Sequence, residues 1–390
     1  MRIAMFTDTY FPQLNGVATS VQMLSQYLKA EGHEVFVFTT TDPDAPKQED
    51  GVFRLPSLPF LKDRRMGMFY HPGIARMVRR LDLDLIHTHT EFCLGVFGRY
   101  LARELALPMV HTMHTIYEDY THYLTKRRIL ESAAKTMARK LTTEFCNSAN
   151  RVIVPTEKVM DLLLSYGVRR PITPIPTGIE LSNFSPGKYS ADEIRQTRQS
   201  LGIGQEEKVL LYLGRMAEEK NIDELLYHLQ PYLRGRLGVK LLLVGDGADR
   251  PRLESIAQTL KITGSTIFAG AQPWSEIGRY YQASDVFVNT SQSEAQGLTY
   301  IEALAAGVPV VAKADRCLEG VVIEGVNGYT FEDGDGLLKA LDRILTDPAE
   351  AYKLRAGALQ TADHYSAKEF AQKVASEYTE LIRIPHRRTA

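Results

Sequence analysis

VFVNTSQSEAQGLTYIEALAAGVPVVAK, residues 286–313, holds two apolar runs separated by a stretch with helical spacing of its apolar residues. The runs VFVNTS (286–291) and VPVVAK (308–313) lack polar alternation, as strands buried on both faces do. Between them GLTYIEALAAG (297–307) reads as a helix opened at Gly297-Leu298 and closed at Ala306-Gly307. Strand, helix and strand form a β-α-β unit, which requires parallel pairing. The flanking sequence repeats the pattern. KVLLYLGR (208–215), VKLLLVGDG (239–247), TIFAG (266–270) and GYTF (328–331) read as strands, and NIDELLYHLQPYL (221–233) as a helix.

A second series lies upstream. RIAMFTD (2–8), HEVFVFTTT (33–41), LDLIHTHT (83–90), PMVHTMHT (108–115) and RVIVPTE (151–157) read as strands, and VATSVQMLSQYLKAEG (17–32) as a helix ending at Gly32. PITPIPTGIELSNFSPGKYS (171–190) reads as the connection between the series. The expected class is α/β, with two doubly wound Rossmann-like domains facing a cleft, residues 1–176 and 177–366. The tail AKEFAQKVASEYTELIRI (367–384) is an amphipathic helix, and residues 367–390 are expected to pack back on the first domain.

The 390 residues carry 46 Lys and Arg against 47 Asp and Glu, a net charge of −1 that argues against a nucleic-acid binder. The balance is uneven. Residues 1–180 hold 22 basic and 19 acidic residues, the remainder 24 and 28, and seven of ten histidines fall in the first part. Cys93, Cys146 and Cys317 are too far apart for a Cys-x-x-Cys metal site or a disulfide framework, which suits a reducing cytoplasm. The N-terminus has no signal-peptide pattern, and no window of about 18 uncharged apolar residues would span a membrane.

Ligands of such sheets bind beyond the carboxyl ends of strands. Asn15-Gly16 follows the first strand, where a glycine at a helix start admits a phosphate or simply makes a turn. A Gly-x-Gly-x-x-Gly dinucleotide fingerprint is absent. In GRMAEEKN (214–221), Arg215 and Lys220 fit a diphosphate clamp without a metal; they also fit a solvated loop with Glu218 and Glu219 as their partners. Glu294 and Glu302 stand eight apart around the helix start at Gly297. A carboxylate accepts hydrogen bonds from two sugar hydroxyls, and a helix N-terminus favours phosphate.

These strings, in this order over nearly the whole chain, resemble the family 4 retaining glycosyltransferases of the GT-B fold. The resemblance implies that the C-terminal domain holds a nucleotide sugar. Arg215 and Lys220 would contact its diphosphate, Glu302 the ribose and Glu294 the transferred sugar. Backbone at Gly297, Leu298 and Gly16 would cap phosphate and sugar, and IFAGAQP (267–273), with Ala271, would face the base. TDTYFPQLNGVATSV (7–21), HTHTEFCLG (87–95) and HTMHTIYEDY (111–120) resemble more narrowly the bacterial diacylglycerol glucosyltransferases. His114 matches the histidine beside sugar and phosphate. His87, His89, Glu91, Tyr117, Glu118 and Tyr120 would lie on the acceptor side.

The histidine pairs 87/89 and 111/114 lack a completing cysteine or carboxylate motif, so no metal is expected. Asp82-x-Asp84 and Asp333-x-Asp335 read as structural. The segment HYLTKRRILESAAKTMARKL (122–141) is a basic amphipathic helix with Lys126, Arg127, Arg128, Lys135, Arg139 and Lys140. The loop FLKDRRMGMF (60–69) adds Lys62, Arg64 and Arg65 among apolar residues. Both fit an anionic membrane surface and equally a solvated face; the lipid acceptor that the resemblance implies favours the membrane. The expected protein is therefore a peripheral enzyme of the inner face of the cell membrane. It would move a hexose, glucose from UDP-glucose, onto diacylglycerol without a further cofactor. Other acceptors (phosphatidylinositol, a soluble sugar or a sugar phosphate), other donors (UDP-galactose, GDP-mannose) and a non-catalytic binding protein are the alternatives.

Overall fold

A computed structural model of the chain describes residues 1–13, 15–61, 64–118, 128–236 and 238–383, with the backbone alone for 60, 61, 64 and 128–131. Lys62, Tyr120, Lys126 and Arg127 lie outside the described residues, as do the side chains of Arg64 and Arg128. The chain divides into two units: Met1–Ile179 with the chain from Ala367 onward, and Glu180–Ser366.

The first unit is built on seven parallel strands in the order Val52–Leu55, Glu34–Thr40, Arg2–Phe6, Leu85–Thr88, Met109–Thr112, Arg151–Val154, Ile172–Pro174. Its central strands are buried except at Arg2, which is why they read as unbroken apolar runs. The strand Ile172–Pro174 lies within the stretch read as a connection. It is three residues long and contains a proline, which suits an edge and leaves little pattern. The unit also runs three residues past the expected boundary. Ile175 joins its core, Ile179 is buried, and Ser20 and Thr177 share a hydroxyl hydrogen bond of 3.1 Å. The stretch read as a loop at 60–69 contains the strand Arg64–Met66, which pairs antiparallel with Leu58–Leu61. The basic segment is helical over Arg128–Ser148, seven residues beyond Leu141.

The last helix, Ala367–Arg383, sends Phe370, Ala371, Val374, Tyr378 and Leu381 into the same core as Val21, Leu24 and Leu28 of the first helix, Gly16–Ala30. The chain leaves this unit at Ile179 and re-enters at Ala367, and the Ala367 amide donates to the Ile179 carbonyl at 2.9 Å. The helix Cys93–Glu104 lies tightly on the sheet through two glycines. A Cβ on Gly98 would approach the Phe6 ring to 2.8 Å, and one on Gly95 would sit 1.7 Å from the Thr90 carbonyl oxygen.

The second unit has six parallel strands ordered Thr266–Gly270, Val239–Val244, Lys208–Leu213, Val286–Asn289, Val310–Lys313, Gly328–Phe331. The helices Ile222–Gly235, Arg250–Thr259 and Gly334–Thr346 share a core with these strands through Leu225, Leu229, Leu253, Leu337 and Leu341. In both sheets the winding direction reverses once, between Arg2–Phe6 and Leu85–Thr88 and between Lys208–Leu213 and Val286–Asn289. At such a switch point the loops that follow the two strands part and leave a crevice.

The glycine packing gives a direct test. Gly95→Ala forces a methyl group into backbone and should lower stability by about 3 kcal/mol. Gly235→Ala, at the end of a helix with nothing within 4 Å of the added carbon, should be neutral or stabilise by up to about 1 kcal/mol. Denaturant midpoints of the two variants should therefore move in clearly different ways.

Candidate active site

The crevice of the second unit is formed by the loops after Lys208–Leu213 and Val286–Asn289. The first loop is fixed to its other neighbour by backbone alone. Gly214 donates to the Val244 carbonyl at 3.0 Å, Met216 to Asp246 at 2.9 Å, and Asp249 back to Met216 at 3.1 Å. A Cβ on Gly245 would lie 1.9 Å from the Gly214 oxygen, and one on Gly247 2.1 Å from that of Met216. The glycines of VGDG thus exist for loop-to-loop contact, and that contact holds the backbone beside Arg215. The Gly245 amide continues the ladder to the Gly270 carbonyl at 2.9 Å, just before exposed Ala271.

Both cations of GRMAEEKN have carboxylate partners. The Arg215 guanidinium meets the Glu219 carboxylate at 2.6 Å, and the Lys220 ammonium meets Glu294 at 2.7 Å with both side chains largely buried. The sequence allowed a diphosphate clamp or a loop with internal partners. Arg215 follows the second pattern with Glu219. Lys220 instead reaches across the switch point to the other loop. Two hydroxyls tie the same loops together: Ser293 Oγ donates to the Glu219 carbonyl at 3.0 Å, and Thr290 Oγ1 to that of Asn221 at 2.8 Å.

Gly297 caps the helix Leu298–Ala305 with φ +76°, and no side chain caps that N-terminus. A Cβ at Gly297 would fall 2.4 Å from the Tyr300 ring, so glycine is required by conformation and by space. Glu302 is 6% exposed, and Tyr281 Oη donates to it at 2.7 Å. Burial pushes its carboxyl up to about 7, against the smaller opposing effect of the Tyr281 hydrogen bond. Tyr281 and Tyr300 escaped the sequence reading because each reads as an ordinary core aromatic.

In the first unit Gly16 opens the helix Gly16–Ala30, behind Asn15, whose side-chain oxygen accepts from the Ala18 amide at 3.0 Å. At the switch point Asp8 and Thr90 hold each other. The Asp8 amide donates to Thr90 Oγ1 at 3.0 Å, that hydroxyl donates to Asp8 Oδ2 at 2.6 Å, and Asp8 Oδ1 accepts from the Leu94 amide at 3.0 Å. Neither residue was singled out from sequence, because 82 residues separate them.

The acceptor-side residues fall into separate clusters. His87 is a core residue: its nitrogens contact Tyr378 Oη at 2.5 Å and Thr112 Oγ1 at 2.7 Å. His89 and half-buried His114 share a contact of 3.1 Å. Burial keeps all three imidazoles well below the ordinary histidine range, with His114 down to about 3. Glu91 links His111, at 3.0 Å, to the Tyr117 hydroxyl. Glu118 is paired with Arg139, a cation read as membrane-facing, and Arg65 donates to Ser57 Oγ at 2.9 Å and to its carbonyl at 3.0 Å. Lys140 is exposed and Lys135 half-buried. An apolar stripe also went unread, with Phe92, Val96 and Tyr100 exposed along one face of the helix Cys93–Glu104 beside Met68, Phe69 and Tyr70.

Among the described residues no group of three or more His, Cys, Asp or Glu side chains could hold a metal ion. Asp84 accepts from the Arg2 amide at 2.7 Å and Asp333 caps the helix Gly334–Thr346, so both Asp-x-Asp pairs have structural work. The three cysteines are buried free thiols.

Two family models cover most of the chain: Glycosyltransferase Family 4 matches residues 14–183 and Glycosyl transferases group 1 matches residues 193–361. The chain is 40% identical to the alpha-monoglucosyldiacylglycerol synthase of Streptococcus pneumoniae, over 98% of this chain and 86% of the relative. It is 34% identical to the protein of that name from Acholeplasma laidlawii, over 98% of each. Among solved structures, sucrose-phosphate synthase from Thermosynechococcus elongatus superposes with a TM-score of 0.78 at 25% identity, over 97% of this chain and 98% of that one.

The buried carboxyl at 302 predicts a pH effect. Its native pKa lies above the unfolded value, so between about pH 4.5 and 7 the native state binds more protons and stability falls as pH rises. Glu302→Gln removes the ionisation and keeps an acceptor for Tyr281. The variant should gain on the parent protein as pH goes from 4.5 to above 7, by at most about 3 kcal/mol, which denaturant titrations at pH 5 and 8 would detect.

Proposed function

This chain belongs to the family 4 glycosyltransferases of the GT-B fold, and from that premise we propose that it moves glucose from UDP-glucose onto diacylglycerol at the inner face of the cell membrane, retaining the anomeric configuration. The observation that carries the reading is the convergence of Arg215, Lys220, Glu294 and the uncapped helix start at Gly297 on one switch point. A nucleoside diphosphate needs cations and amide donors together, and a hexose needs a carboxylate beside them.

In this reading the acceptor hydroxyl attacks the anomeric carbon while the bond to the diphosphate breaks on the same face. The departing phosphate oxygen takes the acceptor proton. Arg215, Lys220 and the helix start at Gly297-Leu298 stabilise the charge that grows on that phosphate. Lys220 exchanges its bond to Glu294 for the phosphate, which frees Glu294 for the sugar hydroxyls. Glu302 takes the ribose hydroxyls, backbone at Ala271 the base, and Gly16 and His114 serve the phosphate and sugar. Two cations and a helix dipole supply the positive charge, so the step asks for no metal and no further cofactor.

The acceptor reading is supported by the names of the two relatives. The membrane reading is supported by the helix Arg128–Ser148, where Met137 and Leu141, one turn apart, are 58% and 57% exposed beside Lys140. No helix among the described residues is long and apolar enough to cross a membrane, which fits attachment from one side. Arg65 and Arg139, held by Ser57 and Glu118, contribute less than their charge suggests.

Arg215→Ala and Glu294→Gln should each reduce glucose transfer to diacylglycerol in mixed anionic vesicles by about 100-fold or more. Full activity in both would overturn the site assignment. Product masses from UDP-glucose, UDP-galactose and GDP-mannose, each offered diacylglycerol, phosphatidylinositol or a soluble sugar, decide donor and acceptor.

A further inference from the structure

Resting on the reading that His114 stands beside the transferred sugar and its phosphate, we propose that His89 is a positioning residue that fixes the proton of His114 on Nδ1. His89 Nδ1 and His114 Nε2 lie 3.1 Å apart. Two neutral imidazoles share such a contact only when one offers N–H and the other a lone pair, so the contact allows two arrangements. Both rings are neutral at pH 7, since burial holds each far below the ordinary histidine range.

The other nitrogen of His89 selects between them. His89 Nε2 is buried and has no hydrogen-bond partner among the described residues. If His114 donated, His89 would carry its proton on Nε2 and bury an N–H with no acceptor. If His89 donates through Nδ1, only an idle lone pair is buried there. Orphaned buried N–H groups are the rarer defect in proteins, and the second arrangement avoids one. It leaves His114 Nε2 occupied as an acceptor and puts the His114 proton on Nδ1.

The surroundings hold the plane of the His89 ring, and a turned ring would lose its contact with His114. Its amide donates to the Phe6 carbonyl at 2.9 Å. One face of the ring lies 4.0 Å, centroid to centroid, from His87, which is itself fixed at both nitrogens by Tyr378 and Thr112. The His114 ring meets the His89 ring edge to edge, with centroids 5.4 Å apart and planes 23° from parallel, as an N–H···N contact in the ring plane requires. Tyr378 and Thr112 thus fix the ring against which His89 packs, and His89 in turn contacts His114. The result is an uncharged N–H donor on His114, able to hydrogen-bond a sugar or phosphate oxygen without taking a proton from it.

The test reads the tautomers directly in the full-length protein labelled with 15N-histidine. Two-bond 1H–15N correlations at pH 7 should show both His89 and His114 protonated on Nδ1, the form that free histidine disfavours; each residue is assigned by the signal lost in His89→Asn or His114→Gln. An Nε2 proton on His114 overturns the proposal, whether or not the protein proves to act on diacylglycerol. His89→Asn keeps a side-chain N–H near the Nδ1 position and should retain the His114 Nδ1 tautomer and kcat within about threefold. His89→Leu should release the tautomer and lower kcat by 10-fold or more while donor KM changes less. A His89→Leu enzyme with unchanged kcat, or a His89→Asn enzyme that folds but is as slow as His89→Leu, also overturns it. If His89→Leu fails to fold, the correlations of the parent protein and of His89→Asn still decide.

Discussion

In a parallel sheet every strand ends on the same side, so the loops that leave those ends compete for one edge. The competition is relieved only where the winding reverses, and each unit has one such place. In the second unit Arg215, Lys220, Glu294 and Gly297 all lie on the two loops that part. In the first unit Asp8 and Thr90 clasp across the corresponding position. The position costs nothing extra in the core, because it follows from strand order.

Keeping such a place polar has an energetic side. Lys220 and Glu294 are mostly removed from water, and either alone would be an unpaired buried charge worth several kcal/mol. Together they are tolerated, and the arrangement is already polarised in the sense that the proposed diphosphate and sugar would use. The Glu302 carboxyl resists ionisation because it is buried, and the hydrogen bond from Tyr281 offsets only part of that effect. The rigidity around these groups comes from backbone. Gly245 and Gly247 are glycines so that one loop can lie directly on another, which keeps the Arg215 segment from drifting.

The sequence made the central strands legible because burial on both faces writes itself as an unbroken apolar run. It concealed Ile172–Pro174 and Val52–Leu55, which are short edge strands with little to bury. Arg215, Lys220, Glu294 and Gly297 were legible from their place after strands. Tyr281, Tyr378 and Asp8 were not, because their partners Glu302, His87 and Thr90 lie 21, 291 and 82 residues away. The histidines illustrate the limit best. His87 and His114 look alike in HTHT and HTMHT, and only the tertiary fold makes one a core residue clamped at both nitrogens and the other a half-buried neighbour of His89.

The return of the chain at Ala367, hydrogen-bonded to Ile179, bears on how the protein is made. Phe370, Val374, Tyr378 and Leu381 belong to the core that Ile3 and Met5 begin, yet they leave the ribosome after the whole of residues 180–366. The N-terminal unit, first to be synthesised, must therefore wait with an open apolar face while its neighbour is translated and free to fold, which reverses the usual vectorial order. During that interval the nascent chain offers a sticky surface to chaperones, and a translation arrest or nonsense codon before residue 367 yields a finished second unit tethered to an unfinished first.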